Sequence, residues 1–246
     1  MSGHSKWSTI KHKKAATDKK RGKIFTRLAK DITIAAREGG SDLDFNNALA
    51  LAVDKAKAAN MPKDNIERAI KRGTGELEGA TLEQMMYEAY APHGVGLLVE
   101  CVSDNRNRAV ADVRHAVSKN GGSMAANGSV SWQFTRKGYI AVEGNFDEDD
   151  LFMEAAEAGA DDVQFGEVAE IFVELDAFAA VRDALKKAGY KLAEATMIYD
   201  PNTPTDLGIE EAVQVLKFIE AVEEVDDVQN IYSTLNVTDE AMAQME

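Results

Sequence analysis

Residues 137–199 have the sequence KGYIAVEGNFDEDDLFMEAAEAGADDVQFGEVAEIFVELDAFAAVRDALKKAGYKLAEATMIY, and their pattern determines how the rest of the chain is divided. We predict strands at 139–142, 163–165, 170–174 and 195–199 and helices at 148–158 and 177–188. In chain order these elements are strand, helix, strand, strand, helix and strand. That order is the ferredoxin-like split β-α-β unit, so this segment predicts a complete α/β module.

The segments on either side predict a second α/β module that the first one interrupts. Before residue 137 we predict strands at 86–90, 95–102 and 129–134 and a helix at 108–119, and after residue 199 a helix at 210–222 and a strand at 228–235. A single helix and a single strand cannot bury an apolar face by themselves, and the earlier strands lack a second helix. The simplest arrangement therefore returns the C-terminal segment to the middle module and leaves residues 136–206 as an insertion.

The N-terminal part of the chain predicts a small helical bundle. Apolar residues follow helical spacing over 23–38, and two more helices are predicted at 45–59 and 62–73. The first 22 residues have no sustained apolar stripe, so they predict a flexible or weakly helical arm.

Together these patterns predict an α+β protein of three domains. The first domain is the basic arm and three-helix bundle, residues 1–80. The second is a ferredoxin-like module made of residues 81–135 and 207–246. The third is an acidic ferredoxin-like module, residues 136–206, inserted into the second.

The composition indicates a cytoplasmic protein. Of the 246 residues, 45% are hydrophobic, and no apolar run approaches the ~20 residues that a membrane-spanning helix needs. The single cysteine, Cys101, excludes an internal disulfide framework and fits a reducing compartment. We expect no membrane association.

The net charge of −14 conceals a strong asymmetry along the chain. Residues 1–77 carry 17 Lys and Arg against 9 Asp and Glu, a net charge of +8, whereas residues 78–246 carry 11 against 33, a net charge of −22. Within residues 1–30 there are ten basic residues and one acid, Asp18. Such an asymmetry indicates an interaction segment that the overall isoelectric point would hide.

The basic N-terminal segment is the first candidate nucleic-acid-binding site. Several cations along a path can neutralise successive phosphates, and an aromatic ring among them can stack on an unpaired base. The alternative is that these charges belong to an ordinary solvated helix end. We predict that the binding residues are Lys6, Trp7, Lys11, His12, Lys13, Lys14, Lys19, Lys20, Arg21 and Lys23.

A second candidate is the segment at 103–108, between a predicted strand and a predicted helix. Asn and Arg side chains bond phosphates and base edges, and the free N–H groups at a helix start favour anions. The alternative is helix capping by Asp104 or Asn105, which requires no ligand. We predict a binding role for Asn105, Arg106, Asn107 and Arg108.

No arrangement of residues in the sequence indicates an enzyme, a metal site or a cofactor. Cys101 lacks a Cys-x-x-Cys partner and is expected to be a core thiol. The acidic run at 147–150 is explained by its place in a first helical turn, and the acidic module is a candidate surface for a basic protein. The weaker alternatives are a metal-dependent nuclease using Asp104 and Asp112, and a small-molecule sensor inferred from fold analogy alone.

Four short motifs, taken in order, resemble the YebC/PmpR family. They are GHSKW at 3–7, RGKIFT at 21–26, SDNRNR at 103–108 and GSV at 128–130. The resemblance extends over essentially the whole chain. It implies a three-domain α/β protein with a helical N-terminal domain and no established enzymatic chemistry. Family members are designated DNA-binding transcriptional regulators of the bacterial cytoplasm, and their relatives include the mitochondrial translational activator of cytochrome c oxidase.

The resemblance and the residues together leave two hypotheses for a non-enzymatic regulator of gene expression. Some members of the family are linked to translation at the ribosome, including relief of stalling on proline-rich nascent chains. The sequence shows no helix with Asn, Gln and Arg clustered for reading a major groove, and a basic arm with Trp7 suits irregular RNA at least as well. One hypothesis is therefore a DNA-binding transcriptional regulator, and the other is a translation factor that binds ribosomal RNA.

Overall fold

The structure is a computed structural model that describes residues 18–166 and 168–245. Its helices are α1 (Asp18–Gly39), α2 (Asn47–Ala58), α3 (Lys63–Gly73), α4 (Arg106–Lys119), α5 (Glu148–Ala158), α6 (Phe178–Ala188), α7 (Ile209–Glu223) and α8 (Asp239–Ala243). Its strands are β1 (Glu83–Tyr90), β2 (Gly96–Ser103), β3 (Ser123–Met124), β4 (Phe134–Glu143), β5 (Asp162–Gln164), β6 (Ala169–Val173), β7 (Lys191–Pro201) and β8 (Val228–Ser233). None of the described helices is long and apolar enough to cross a membrane.

The predicted three-helix bundle is present in α1, α2 and α3. The helices pack around a core that includes Ile32, Leu49, Val53 and Ile66. The first helix begins earlier than predicted, because residues 18–22, which we assigned to a flexible or weakly helical arm, are already helical. Lys and Arg are good helix formers, so a helix can begin here without an apolar stripe.

The middle and the C-terminal parts of the chain form one antiparallel sheet. Its strand order is β3-β1-β2-β8, and α4 and α7 cover one of its faces. Leu97 on β2, Val113 on α4 and Leu216 on α7 are fully buried in the core between them. The pairing of β8 with β2 confirms that the C-terminal segment returns to the middle module.

The segment between β3 and α7 forms a second antiparallel sheet of its own. Its strand order is β5-β6-β4-β7, and α5 and α6 cover one face. Asp147 caps α5 by accepting the N–H groups of Asp149 and Asp150 at 3.0 Å each. The predicted β-α-β-β-α-β unit is therefore confirmed, and part of its acidic run serves to start a helix.

The two sheets share one architecture with different connections. The order β8-β2-β1-β3 in the first sheet corresponds to β7-β4-β6-β5 in the second. In the first sheet the strand that matches β6 is β1, which precedes the other strands in the chain. The second module is thus inserted at the point where a standard ferredoxin-like chain would form that strand.

The faces that the helices leave uncovered pack against each other. Leu98 and Tyr232 from the first sheet and Tyr139 and Ile198 from the second belong to one buried cluster. The rings of Tyr199 and Tyr232 meet edge to face with centroids 5.1 Å apart. Because β2 is buried on both faces, its sequence is almost continuously apolar instead of alternating.

The strand predicted at 129–134 is wrong. Ser131–Gln133 forms a short 3₁₀ turn, β4 begins at Phe134, and the edge strand of the first sheet is instead the two-residue β3. Val130 and Phe134 are buried, as the alternation requires, but Trp132 is 71% exposed. Helix α8 was not predicted, and the other predicted elements are present with ends shifted by up to five residues.

Candidate nucleic-acid interface

Most of the first candidate set lies outside the described residues. This applies to six of its members, which are Lys6, Trp7, Lys11, His12, Lys13 and Lys14. Lys19, Lys20 and Arg21 lie in the first turn of α1, and Arg21 is exposed. The role of these residues stays a prediction.

The last member of that set, Lys23, belongs to a row of cations that docks α1 on the body of the protein. Lys23, Arg27 and Lys30 are spaced at i, i+4 and i+7, which places them on one face of the helix. This face meets the acidic loop at 223–227, between α7 and β8. Lys23 Nζ donates to the carbonyl oxygen of Glu224 at 2.5 Å and lies 3.0 Å from its Oε2. The guanidinium of Arg27 donates to the carbonyl oxygen of Glu223.

Asp227 is the centre of this contact, and we call Lys30, Ser103, Arg108 and Asp227 the Asp227 junction. Lys30 Nζ lies 3.0 Å from Asp227 Oδ1 and 2.7 Å from the carbonyl oxygen of Val102. Asp227 Oδ2 accepts from the Ser103 hydroxyl at 2.8 Å and from Arg108 Nη2 at 3.1 Å. One carboxylate thus ties α1 and the start of α4 to the loop that precedes β8.

The electrostatics of the junction favour the charged form of Asp227. Its side chain is only 8% exposed, and burial by itself would raise the pKa. Hydrogen bonds from Lys30 and Ser103, the charge of Lys30 and the hydrogen bond from Arg108 outweigh burial, so the pKa of Asp227 lies below its usual value.

The four residues of the second candidate set, at 105–108, have different surroundings in the structure. Asn105 caps α4, because its Oδ1 accepts the N–H of Arg108 at 3.0 Å, which is the capping alternative considered above. The guanidinium of Arg108 also donates to Asp104 Oδ1 at 2.8 Å. The side chains of Arg106 and Asn107 are exposed and make no hydrogen bond or ion pair with another side chain in the described ranges. The side chains of Asn105 and Arg108 are thus engaged within the fold and those of Arg106 and Asn107 face solvent, and a binding role for the four residues stays a prediction.

Further exposed cations lie on α3 and α4 outside the predicted site residues. They are Arg68, Lys71, Arg114 and Lys119. On α4 they are accompanied by a single acidic residue, Asp112. These residues extend the positive surface beyond the two predicted segments.

The described residues offer no evident nucleophile or metal-ligand cluster. Cys101 is fully buried in β2, as expected, and burial together with Asp227 and Glu100 raises the pKa of its thiol to about 12. No group of three or more His, Cys, Asp and Glu within 18–166 and 168–245 has the arrangement of a metal site.

A half-buried carboxyl group, that of Asp31, also lies on the docked face of α1. Gln229 Nε2 donates to Asp31 Oδ1 at 2.8 Å. Burial raises the pKa of Asp31 to about 6, although Lys55 and the hydrogen bond from Gln229 act in the opposite direction. The contact between α1 and β8 is therefore sensitive to pH.

We expect Asp31→Asn to remove a pH-dependent loss of stability. A carboxyl group whose pKa is raised on folding stabilises the fold below its unfolded pKa of 3.8, and this contribution is lost as the pH rises through about 6. Relative to wild type, the variant should gain about 1–2 kcal/mol between pH 4 and pH 7, less than the full shift would give because Asp31 is only half-buried. Denaturant unfolding of both proteins over this pH range measures the difference, and parallel curves would contradict the assignment.

Comparison with known families explains the four motifs. The model described as "TACO1/YebC protein N-terminal domain" matches residues 5–76, and that described as "TACO1/YebC second and third domain" matches residues 82–235. The chain belongs to the TACO1/YebC family. The resemblance drawn from the motifs is thereby confirmed.

Relatives in the TACO1/YebC family match over the full length of the chain. A protein of Desulforapulum autotrophicum is 52% identical over 244 residues, 98% of each chain, and one of Geobacter sulfurreducens is 51% identical over 246 residues, 100% of each. Both are named "Probable transcriptional regulatory protein". The crystal structure of a conserved hypothetical protein from Aquifex aeolicus is 42% identical, with a TM-score of 0.84, and the match covers 92% of this chain and 94% of that one.

Proposed function

We propose that this TACO1/YebC protein is a non-enzymatic, nucleic-acid-binding regulator of gene expression in the cytoplasm. The observation that carries the proposal is the density of positive charge before Lys23. Residues 1–30 contain ten cations and one acid; among the described residues Lys23, Arg27 and Lys30 contact the acidic loop, and seven cations precede Lys23 in the chain. Several cations along a path can neutralise successive phosphates, which supports nucleic-acid binding by this segment.

The names of the relatives support a role in transcription, and the geometry supports RNA as the second candidate target. A DNA-reading helix would need Asn and Arg side chains projecting from its first turns into the major groove. At the start of α4, Asn105 is committed to capping and Arg108 to Asp227. This arrangement favours backbone and shape recognition over base readout.

The first test concerns the arm alone. Changing Lys13, Lys14, Lys19 and Lys20 to Ala should weaken binding to all sequences by a similar factor. It should also flatten the line of log affinity against log salt by about 0.9 per lost phosphate contact on duplex DNA and about 0.7 on single strands. Fluorescence anisotropy over a salt series measures both effects. The matched control is Lys187→Ala with Lys217→Ala, which removes exposed lysines from α6 and α7 and should change neither.

Arg106→Ala tests the contribution of the second candidate site to binding independently of the N-terminal arm. If Arg106 contacts a shaped site, the variant should lose preference for its target and change the salt slope by no more than about one contact. Arg108→Ala serves as a contrast, because it should reduce stability through Asp227 before it affects binding. Full target preference in a well-folded Arg106→Ala protein would exclude Arg106 from the binding surface.

Ribosome co-sedimentation and gel shifts on promoter DNA, performed at the same salt concentration, distinguish the two targets. Retention on ribosomes with only weak, salt-sensitive DNA binding would favour translation, and the reverse result would favour transcription. Binding to neither, by a folded protein, would overturn the proposal.

A further inference from the structure

The loop at 128–132, which we call the Trp132 loop, is held rigidly by a buried carboxylate. Glu88 on β1 is 6% exposed, and its oxygens accept the N–H groups of Gly128 at 2.7 Å, Val130 at 2.5 Å and Ser131 at 3.1 Å. Val130 is fully buried between the two sheets. Gly128 adopts a φ of +85°, which favours glycine. The loop therefore has a fixed shape that is set by β1.

This fixed loop holds an indole ring in solvent. Trp132 is 71% exposed, and its Nε1–H already donates to the carbonyl oxygen of Ser129 at 3.0 Å. Asn202 Nδ2 donates to the carbonyl oxygen of Trp132 at 3.1 Å, which fixes the backbone from the other side. A single exposed apolar side chain needs no explanation by itself, but the backbone that carries this ring is fixed from both sides, so the ring is positioned in advance.

The chain segment that carries the ring is polar and positively charged, and the acid opposite it on β7, Asp200, which pairs with Thr135, is half-buried with a pKa that burial raises. Residues 113–142 contain no Asp or Glu, although the chain has 42 of them in 246 residues. The same stretch contains four Lys and Arg, which are Arg114, Lys119, Arg136 and Lys137. Arg136 is exposed four residues beyond Trp132, next to the exposed Thr135. The positive charge of Arg136 complements the negative charge of a phosphate. The negative charge of Glu88 is stabilised by hydrogen bonds from three backbone N–H groups of the loop.

We propose that Trp132 is a stacking platform for an unpaired base of single-stranded RNA and that Arg136 contacts the adjoining phosphate. The inference rests on the nucleic-acid-binding function proposed above and assigns part of that binding to a second site. A nucleic-acid base has a flat face that can stack on an indole ring, and this stacking does not depend on which base is present. The face of a paired base is covered by its neighbours, so the platform distinguishes single strands from duplexes. Protein-binding tryptophans lie in desolvated apolar surroundings, whereas Ser131, Thr135 and Arg136 border this one.

The test uses the fluorescence of the full chain with Trp7→Phe, which leaves Trp132 as the single tryptophan. The probes are a short single-stranded RNA of mixed sequence and the duplex it forms with its complement. We expect the single strand to quench Trp132 and the duplex to leave it nearly unchanged. In the otherwise wild-type chain, Trp132→Ala should weaken single-strand binding about 5- to 150-fold, the range for loss of one stacked base. Duplex binding should change less than about twofold, since the arm supplies it.

Two further variants keep the test specific. Trp132→Phe retains an aromatic face and should recover most of the single-strand affinity. Phe152→Ala removes another exposed ring, 50% accessible on the acid-rich helix α5, and should change nothing. Unchanged single-strand affinity in Trp132→Ala, or unchanged Trp132 fluorescence, would overturn the inference while leaving duplex binding and the proposed function intact. A wild-type chain that binds neither probe would overturn both.

Discussion

A chain that begins at Asp18 is expected to fold like the full chain and to bind nucleic acid about 1,000-fold more weakly at 0.15 M salt. The truncation removes Lys6, Lys11, Lys13 and Lys14 together with Trp7. Each phosphate contact on duplex DNA adds about 0.9 to the salt slope, which is about fivefold in affinity at 0.15 M relative to 1 M salt. Four lost contacts therefore account for about three orders of magnitude, and a stacked base on Trp7 would add to this on single strands.

The fold should tolerate this truncation because α1 begins at Asp18 and keeps its packing and docking residues. The apolar residues that join the bundle core start at Phe25, and the docking row starts at Lys23. The measurements are circular dichroism, melting and binding over a salt series. A truncated protein that melts like the full chain but keeps its affinity would show that the basic segment is not the binding element.

The order of elements was predictable from local patterns, but the Trp132 loop was not. The helices and strands of the inserted module have their own periodicity, and their burial follows it. Within residues 129–134 the apolar residues Val130 and Phe134 are buried, so the pattern does report burial although it does not form a strand. What bends the backbone between them is Glu88, about 40 positions earlier in the chain, whose carboxylate gathers three N–H groups of the loop. No local window of sequence contains that information.

The same limit applies to the candidate site. Lys23 was assigned to binding from its place in a basic run, yet its carboxylate partner, Glu224, lies 201 positions later. Arg108 was assigned from the Asn-Arg motif, and its partner Asp227 lies 119 positions later. The residue types predicted a charged surface, but only the fold shows which charges are already paired.

The charge asymmetry of the chain thus has two physical components. One component holds the helical domain against the rest of the protein. Its cations are Lys23, Arg27 and Lys30, which contact the acidic loop at 223–227. Seven further cations precede Lys23, and we propose that they bind nucleic acid. Because the docking contacts are partly buried, salt should weaken them much less than it weakens nucleic-acid binding. The two components can therefore be separated by experiment.

We expect Asp227→Ala to reduce the free energy of unfolding by about 3–5 kcal/mol, the cost of leaving buried charges without their partner. Lys30, with a side chain only 14% exposed, would lose its carboxylate, and so would Ser103 and Arg108. Since each kcal/mol is about 2–4 °C for a domain of this size, the melting temperature should fall by roughly 6–20 °C. The control is Asp226→Ala, whose side chain is 96% exposed and 4.0 Å from Lys23. It should cost less than about 1 kcal/mol.

The pH dependence of the same pair of proteins gives an independent check. Because the pKa of Asp227 is lowered by folding, its stabilising effect is complete above the ordinary value of 3.8 and is lost as the pH falls through the lowered value. The difference in stability between wild type and Asp227→Ala should therefore be largest near neutral pH and shrink in acid. The variant should retain nucleic-acid affinity as long as it is folded, because loss of the carboxylate removes no cation. A folded Asp227→Ala protein with wild-type stability and sharply weakened binding would mean instead that the junction is itself part of the binding surface.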